Sequence, residues 1–519
     1  MSPALLSLLL GALAALGFAP LQLWPLTLVA VAGWLLLVHA APTWRAAAWR
    51  GWLFGVGHFT INNNWIQHAF DFQDAMPPAL GYAAPMLLAL YLAVFPAAAA
   101  LIIWRWRGAR PDGGFALLAG AAWIATEWTR SWLFTGYPWD PIAAIWVPAP
   151  GVIRLAPWIG TYALSGLTVS AAAGLILLVR LRVTRLSRLG LAAGAFGGLI
   201  AVALLDYSKP ITPTNLSLNS PRLVVVQPDI DQSLRGENDN EPVLRRLLAL
   251  SGGPAPYPRL VLWPEGMVRD YIEDRYPLYA YGGRYPWQIR PRLARVLGPR
   301  DTLLLGATPL RFDRHDEVVG ASNSVHVLGP DGELHNRYDK AHLVPYGEYL
   351  PMRPILSRIG LSRLAPGDID FRPGPGPRNL VLPGFGKVGI QVCYEIIFSG
   401  RVVDERDRPR FLFNPSNDAW FGRWGPPQHL AQARLRAIEE GLPVVRSTPT
   451  GISAVIDAHG RLMADLPWRT PGALELPLPD ILAPPLFARL GNVLPLGLAL
   501  LLAAIGFAWS RLPRYRNRT

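Results

Sequence analysis

The chain has 519 residues, of which 51% are hydrophobic and only 16% are charged. This composition is too apolar for an ordinary soluble protein, and the length allows more than one domain. The net charge of +13 comes from arginines concentrated between apolar segments, which favours anionic lipid headgroups over nucleic acid as neighbours. The single cysteine, Cys393, excludes an intramolecular disulfide and a cysteine-based metal cluster.

The chain contains repeated apolar segments of membrane-spanning length, since a transmembrane helix needs about 20 mostly apolar residues. The first segment lacks a basic start and a small-residue cleavage site, so we expect a retained helix rather than a signal peptide. Eight spans are predicted, at about residues 3–19, 21–41, 51–70, 79–103, 114–134, 159–179, 189–206 and 485–509.

Basic residues assign the predicted spans to the two sides of the membrane, because cytoplasmic loops retain Lys and Arg. They follow the second, fourth, sixth and eighth spans, at Arg45 and Arg50, 105–110, 180–188 and 511–518. This alternation predicts a multi-pass membrane protein with both termini in the cytoplasm. The large segment between the last two spans is then extracytoplasmic.

Polar residues interrupt two of the predicted spans. The third ends in Asn62–Asn64, which indicates either a hydrated entrance or loop asparagines, and we prefer the second interpretation. In the fifth span, Glu127 and Arg130 are three residues apart on one helix face, so they can pair and reduce the free-energy cost of placing charged groups in the membrane.

The composition changes at Asp206, where a segment rich in Pro, Asn and Ser precedes the strand-like sequence RLVVVQ. We therefore divide the chain into four regions. These are a membrane bundle of seven spans at 1–206, a linker at 207–220, an extracytoplasmic domain at 221–484, and a final transmembrane helix with a basic cytoplasmic tail at 485–519.

The hydrophobic pattern of the extracytoplasmic domain alternates between strand and helix. Strands are predicted at 222–227, 259–263, 302–307, 379–382, 387–393 and 410–414, and helices at 241–250, 286–297 and 428–440. Hairpins are predicted across Gly329–Gly332, which contains a strong Asp-Gly turn signal, and around His459 and Gly460. Strands with covering helices indicate a layered α/β domain.

Cys393 is a candidate nucleophile because it ends the strand GKVGIQVC, where its side chain can face a pocket. A buried, inert core cysteine is the commoner role for such a residue. An extracytoplasmic compartment favours the reactive role to some extent, because a free thiol there risks oxidation.

Two charged residues could act with this thiol. Glu265 follows the apolar strand RLVLW, where a carboxylate beside an aromatic wall suits a general base. Lys340 ends the first hairpin, and Glu348 follows it across a Pro and Gly bend. A cation near a thiol lowers its pKa and neutralises an oxyanion. Taken singly, an exposed loop carboxylate and a solvated lysine are the simpler interpretations.

Taken together, these segments resemble the nitrilase superfamily, whose Glu-Lys-Cys triad occurs in this chain order on an αββα sandwich. Membrane spans on both sides of the domain narrow the resemblance to the bacterial apolipoprotein N-acyltransferase family, over nearly the whole chain. The family-like segments are EWTRSWLFTGYPW, WPE, YDKAHLVPYGEYLP, CYE, NDAWFG and RLRAIEEGLPVVRSTPTGISAVID.

The resemblance implies a role for each matching residue. It makes Glu265 the base, Lys340 the oxyanion lysine and Cys393 the nucleophile. The chain departs from the family near Gly236, where a tryptophan is usual, so the role of that loop is not assigned. Supporting roles fall to Glu348, Tyr394 and Glu395, and substrate-binding roles to Trp420 and Tyr349.

Two residues of the helix predicted at 428–440 receive no catalytic role. His429 and Arg434 are assigned to the solvated or packing face of that helix.

The resemblance also implies the reaction. The acyl donor is a phospholipid, typically phosphatidylethanolamine, and the acceptor is the N-terminal α-amine of a diacylglyceryl-cysteine apolipoprotein. A monomeric enzyme in the lipid bilayer of the bacterial inner membrane, with its catalytic domain in the periplasm, transfers the acyl chain through a Cys393 thioester, without a metal or organic cofactor. Two alternatives remain open: a membrane-tethered nitrilase-type amidase that releases the acyl group to water, and a transporter with a non-catalytic outer domain.

Overall fold

The computed structural model describes residues 1–73, 76–179, 220–232, 240–364 and 369–511. The predicted seventh span, most of the predicted linker, the basic segment at 180–188, the Gly236 loop and the tail beyond residue 511 lie outside the described residues.

Contacts between residues divide the chain into two compact units. The helical unit comprises Met1–Asn64, Tyr82–Lys209 and Pro485–Thr519. The sandwich unit comprises Trp65–Gly81 and Pro210–Pro484.

The N-terminal part of the chain and its C-terminal helix are helical, as predicted. The helices are α1 Pro3–Ala15, α2 Trp24–His39, α3 Trp44–Asn62, α4 Ala79–Leu92, α5 Val94–Trp106, α6 Gly113–Arg130, α7 Ala156–Val179 and, after the sandwich, α11 Val493–Arg511. Side chains just before three of them, Ser2, Thr43 and Asp112, cap free N–H groups of the first turn.

Among the described residues, two helical segments are long and apolar enough to cross a membrane, Ala79–Trp106 and Ala156–Val179. Three further apolar helices are shorter, Pro3–Ala15, Trp24–His39 and Val493–Trp509. These lengths support a helical N-terminal region and leave the count of eight spans as a prediction.

Small residues allow helices of the helical unit to approach closely. A Cβ added at Gly11 of α1 would lie 2.0 Å from the Phe54 carbonyl oxygen, and one at Gly57 of α3 would lie 2.1 Å from the Leu8 carbonyl oxygen. Close backbone approach at glycine is the usual way in which apolar helices pack without a polar interface. The same contact type joins α6 and α7.

Asn63 and Asn64 lie in the turn that follows α3, in agreement with the preferred interpretation of the sequence, and Asn62 ends the helix. Asn62 and Asn63 are buried. The Asn63 amide donates to the Phe59 carbonyl oxygen at 2.9 Å and accepts from the Tyr137 hydroxyl at 2.6 Å. The fold satisfies this amide internally, which is what makes its burial tolerable.

The predicted pairing of Glu127 and Arg130 is confirmed, with 3.9 Å between the charged groups, both buried. Arg130 also donates to the carbonyl oxygens of Tyr137 and Trp139, at 2.9 and 2.8 Å. These bonds join the end of α6 to the chain that follows it.

The sandwich unit contains two six-stranded sheets. The first has the strand order β14-β1-β2-β3-β6-β7 and the second β13-β12-β11-β10-β9-β8. The strands are β1 Arg222–Gln227, β2 Arg259–Leu262, β3 Thr302–Ala307, β4 Leu310–Phe312, β5 Val318–Ala321, β6 Ser324–Leu328, β7 Leu334–Asp339, β8 Asn379–Leu382, β9 Gly386–Ile390, β10 Phe411–Pro415, β11 Val444–Ser447, β12 Ser453–Ile456, β13 Leu462–Leu466 and β14 Gly472–Pro477.

Parallel strands form the centre of each sheet and antiparallel strands its edges. In the first sheet β1, β2 and β3 are parallel, and in the second β9, β10 and β11 are parallel. Central parallel strands are buried on both faces, which explains their nearly continuous runs of Val, Leu and Phe.

Alternate residues of β1 fill two different cores. Leu223 and Val225 pack between the two sheets, with Val388 and Phe413 of the second sheet. The intervening Val224 packs on the other face of the first sheet, against helices α8 Glu241–Ser251 and α9 Pro286–Ala294. Helix α10 Gly425–Glu440 packs on the second sheet at β11. The unit is therefore an αββα sandwich, the architecture that the resemblance implied.

The predicted strands and helices of this domain are confirmed to within a few residues, including both hairpins. The largest difference concerns the strand predicted at 387–393. It ends at Ile390, and Cys393 begins a 3₁₀ helix, Cys393–Ile397. Strands β4, β5, β11 and β14 were not predicted, because short or edge strands carry little periodic signal.

The buried carboxyl group of Glu440, at the end of α10, leads to a prediction about how the stability of the protein depends on pH. Burial, and then repulsion from Glu439, raise the pKa of Glu440 from 4.5 to about 7. The folded state therefore retains a proton that the unfolded state releases, so stability falls as the pH rises from 4.5 towards 7. At pH 8 we expect Glu440→Gln to be more stable than the wild type by up to about 3 kcal/mol, an advantage that shrinks at acidic pH.

Chemical unfolding in detergent at several pH values measures this difference. The matched control is Glu405→Gln, which makes the same charge change at an exposed position and should alter the profile little. Identical pH profiles for the two variants would contradict the role assigned to Glu440.

Candidate active site

Cys393 lies at a sharp turn where a parallel strand ends. After β9 the backbone reverses at Cys393, whose φ is +50°, and a 3₁₀ helix starts there. A left-handed conformation is unfavourable for a residue other than glycine, and it persists only where the surroundings impose it. The side chain is buried, with 6% of the residue exposed.

Glu395 holds this turn in place. Its Oε2 accepts from the Val392 N–H at 2.7 Å, across the turn. Its Oε1 accepts from the backbone N–H groups of Ala341 and His342, at 2.7 and 3.0 Å, and from the Tyr338 hydroxyl at 2.9 Å. One carboxylate thus joins the cysteine turn to the segment that follows β7.

The surroundings of Glu395 indicate that it has a structural role and does not act as the general base. Burial raises its pKa to about 7, against the opposing effects of Lys340 and of the N–H donors. Both of its oxygens are occupied by donors from the chain. The supporting role that the sequence assigned to Glu395 therefore takes the form of holding two segments together.

Glu265 lies just beyond the carboxyl end of β2. Its Oε2 accepts from the Asn417 N–H at 2.7 Å, just beyond the end of β10, and its Oε1 accepts from the Asn323 amide at 2.7 Å. Carboxyl ends of parallel strands meet at one edge of a sheet, which explains why groups far apart in sequence come together here.

Lys340 is buried between two carboxylates. Its Nζ lies 3.5 Å from Oε1 of Glu265 and 3.0 Å from Oε2 of Glu348, and only 1% of the residue is exposed. The Asn323 amide bridges the same two carboxylates, at 2.7 and 2.8 Å. The backbone of Asn323 also accepts from the Lys340 N–H at 2.8 Å. The simpler interpretations of Lys340 and Glu265 as solvent-exposed residues are therefore wrong.

The two charges around Cys393 have opposite effects on its thiol. Burial, and then the Glu265 carboxylate, raise the pKa of Cys393, while Lys340 acts in the opposite direction. The expectation that the lysine would lower the thiol pKa is correct for its own contribution, but burial outweighs it. The resting thiol is therefore neutral, and its attack on a carbonyl requires a base.

Lys340 remains charged in this setting. Burial alone would lower its pKa, but the Glu348 and Glu265 carboxylates more than offset that effect and raise it. A fixed cation near a thiol stabilises negative charge that develops during reaction. Cation, carboxylate and thiol interact electrostatically with one another in this cluster.

His429 is where the sequence interpretation was least informative. It lies on α10, fully buried, and its Nε2 is 3.1 Å from the Cys393 carbonyl oxygen. Its Nδ1 is 3.2 Å from Asp418 and 3.0 Å from Arg446. The packing interpretation is therefore correct and the solvated one wrong. A lone histidine in an amphipathic helix gave no signal of this contact.

The remaining residues assigned from the sequence have other neighbours. Tyr394 is buried, and its ring packs against Phe398, with centroids 5.2 Å apart. Trp420 packs edge-on against Phe72, at 5.9 Å. Tyr349 is half-buried and accepts from the Tyr346 N–H through its backbone. Arg434 donates to the Gly460 carbonyl oxygen at 2.7 Å.

The cluster contains the groups for nucleophilic acyl transfer. Within the part of the chain that the structure describes, no group of three or more His, Cys, Asp or Glu residues is arranged to hold a metal ion. A thiol, a carboxylate and a buried ammonium supply a nucleophile, a base and an electrostatic stabiliser.

Comparisons with known proteins agree on one family. The family model for the apolipoprotein N-acyltransferase N-terminal domain matches residues 10–174, and the carbon-nitrogen hydrolase model matches residues 222–479. The apolipoprotein N-acyltransferase of Rhodopseudomonas palustris is 33% identical, over 94% of this chain and 92% of the relative.

A second relative carries the same name. The apolipoprotein N-acyltransferase of Caulobacter vibrioides is also 33% identical, over 96% of this chain and 92% of the relative. Among solved structures, Saccharomyces cerevisiae Nit3, a member of the nitrilase superfamily, is 18% identical with a TM-score of 0.35, over 50% of this chain and 90% of its own.

The burial of Lys340 generates a prediction about stability. Lys340→Met preserves much of the side-chain length but leaves the carboxylates of Glu265 and Glu348 facing each other without a cation. Removing one partner of a buried charge cluster costs about 3–5 kcal/mol, so we expect the free energy of unfolding of this variant at pH 8 to be lower than that of the wild type by that amount. Chemical unfolding in detergent measures it.

Lys387→Met is the matched control, because it removes a lysine that is half exposed and pairs with Asp407 at the surface. Surface pairs contribute little, so its stability should be close to that of the wild type. Equal stability of the two variants would show that the buried carboxylates do not depend on Lys340.

Proposed function

The chain belongs to the apolipoprotein N-acyltransferase family, and from that premise we propose that it transfers an acyl chain from a membrane phospholipid to the N-terminal α-amine of diacylglyceryl-cysteine apolipoproteins. This is the last step of lipoprotein maturation. The observation that carries the proposal is the buried cluster of Glu265, Lys340 and Cys393, three groups that come from separate strand ends. They occur in a chain that matches named acyltransferases over nearly its whole length.

In the first half-reaction Cys393 is the nucleophile. Glu265 takes the thiol proton as the sulfur attacks the ester carbonyl carbon of the phospholipid, and an S–C bond forms. The oxyanion develops beside the Lys340 ammonium and a backbone N–H after the cysteine. The ester C–O bond then breaks, Glu265 returns the proton to the leaving oxygen, and a lysophospholipid and a Cys393 thioester result.

In the second half-reaction the lipoprotein amine attacks the thioester carbonyl carbon. Glu265 takes a proton from the attacking nitrogen, a C–N bond forms and the C–S bond breaks. The proton returns to the Cys393 sulfur, which regenerates the thiol and leaves an amide on the lipoprotein. The two substrates thus react in turn at one site, a ping-pong sequence.

The charge arrangement supports these assignments. A thiol whose pKa is raised by burial and by Glu265 stays protonated at rest, which protects it from oxidation and makes a neighbouring base necessary. Glu348 shares Lys340 with Glu265, so it keeps the ammonium in position while Glu265 exchanges protons.

The membrane arrangement is part of the proposal. We propose eight spans, with the regions 1–206, 207–220, 221–484 and 485–519 as divided above, both termini in the cytoplasm and the region 221–484 in the periplasm. The apolar helices of the N-terminal region support a membrane location. Both substrates carry acyl chains, so a membrane anchor keeps the thiol near them.

The substrate contacts and the donor are also proposed. Trp420 and Tyr349 line the approach of the acyl chains, with Tyr394 next to the nucleophile. Phosphatidylethanolamine is the donor, and the enzyme acts as a monomer. Trp420 packs with the aromatic segment that contains Phe72, which supports an apolar contact surface there.

An intact-mass experiment tests the first half-reaction. Purified protein incubated with phosphatidylethanolamine should gain the mass of one acyl group, and Cys393→Ala should gain none. Glu265→Gln removes the base, so its acylation should slow by about 10²–10⁴-fold, because general-base catalysis contributes that much. Glu405→Gln, which changes an exposed carboxylate in the same way, should acylate at the wild-type rate.

Two outcomes would contradict the proposal. Acylation of Cys393→Ala at the wild-type level would exclude Cys393 as the acyl carrier. Release of free fatty acid without accumulation of the acyl-enzyme would favour a hydrolase with the same triad.

A further inference from the structure

The carbonyl group of Cys393 is held by two buried donors. His429 Nε2 lies 3.1 Å from this oxygen, and the Asn414 amide donates to it at 3.3 Å. A carbonyl oxygen can only accept, so Nε2 of His429 must carry a proton. Both donors come from elements packed behind the turn, α10 and β10.

Arg446, on β11, organises these donors. One of its terminal nitrogens donates to Oδ1 of Asn414, which turns the NH₂ group of that amide towards the carbonyl oxygens of Gln391, at 2.6 Å, and Cys393, at 3.3 Å. The other terminal nitrogen lies 3.0 Å from Nδ1 of His429 and pairs with Asp418.

The histidine is neutral in this network. Burial, and then the Arg446 charge, lower the pKa of His429, while Asp418 acts in the opposite direction. A neutral ring with its proton on Nε2 has a lone pair on Nδ1, which accepts from Arg446 at 3.0 Å, while Oδ1 of Asp418 lies 3.2 Å from the same nitrogen. Arg446 therefore favours this tautomer of His429 and orients the Asn414 amide.

These bonds fix the plane of the peptide that follows the cysteine. In a trans peptide the C=O and the next N–H point in opposite directions, so holding the Cys393 oxygen sets the direction of the Tyr394 N–H. Cys393 also has a positive φ, a conformation that needs such restraint.

The four polar side chains of this network are fully buried. Asp418, His429, Asn414 and Arg446 each have 0% of their surface exposed. A buried ion pair can often be replaced by apolar residues without loss of stability, so retaining four buried polar groups behind one turn favours a chemical role.

We propose that His429 and Asn414, organised by Arg446, are positioning residues that aim the Tyr394 N–H at the oxyanion formed when Cys393 attacks an acyl donor. This rests on the proposed function, because it requires Cys393 to be the nucleophile. His429 does not act as the base, since its Nε2 bonds the carbonyl oxygen of Cys393.

The test compares two reactions of the same thiol in the full-length protein. Acylation by p-nitrophenyl butyrate passes through a tetrahedral oxyanion, whereas alkylation by iodoacetamide does not. The variants are His429→Gln, which keeps an N–H donor near the Nε2 position, and His429→Met, which has a similar volume without the donor. Intact mass follows both reactions, and unfolding midpoints check the fold.

We expect His429→Met to slow acylation by about 100-fold, the usual effect of losing oxyanion stabilisation, while alkylation changes by less than about threefold. His429→Gln should recover acylation to within about tenfold of the wild type. Asn414→Asp, which replaces the amide donor by an acceptor at a second position, should also slow acylation and spare alkylation. This variant carries the test if His429→Met does not fold.

Wild-type acylation rates in His429→Met and Asn414→Asp would overturn the inference, and so would an equal loss of acylation and alkylation. A parallel reaction with phosphatidylethanolamine distinguishes a failure of this inference from a failure of the proposed function. If the ester but not the phospholipid acylates wild-type Cys393, the lipid assignment fails and the His429 comparison still stands. If neither reagent acylates Cys393, both proposals fail.

Discussion

The site depends on one buried cation. Lys340 has almost no exposed surface, and an ammonium so far from water is tolerated only because Glu265 and Glu348 surround it. These groups come from the end of β2, the end of β7 and the bend that follows it. The same ion cluster therefore joins separate parts of the sandwich and supplies the charges that act on the thiol.

Two further networks hold the nucleophile against this cluster. Glu395 joins the backbone at Val392 to that at Ala341 and His342, so one carboxylate connects the cysteine turn to the segment after Lys340. Behind the turn, the Arg446 network holds the Cys393 carbonyl oxygen. Fixed dipoles and charges of this kind lower a barrier because they need no reorganisation during the reaction.

Much of this arrangement could be predicted from the sequence. Runs of Val and Leu with turn residues between them located most strands of the sandwich, because buried strands carry a strong apolar signal. The triad was found through segments such as WPE and CYE, and not through the individual residues, each of which had a simpler interpretation. The structure brings Glu265 and Lys340 into contact and places Cys393 within their electrostatic reach.

The supporting residues could not be predicted in the same way. Asn323 bridges two carboxylates from within a hairpin, and His429 reaches the cysteine from a helix 36 residues further on. Such contacts depend on how strands and helices pack, and a single polar residue in an amphipathic pattern does not indicate its partner. The burial of Asn63 after α3 could not be predicted for the same reason, because it depends on contact with Tyr137, 74 residues away.

The central claim is that a Cys393 thioester passes its acyl group to a lipoprotein amine. The most direct measurement is a chase of isolated acyl-enzyme, prepared with labelled phosphatidylethanolamine, using a diacylglyceryl-cysteine peptide, its N-acetylated form, or buffer. We expect the label to move to an amide on the free-amine peptide. With the N-acetylated peptide or with buffer it should stay on Cys393. Release of the label as fatty acid at the same rate in buffer would contradict the central claim.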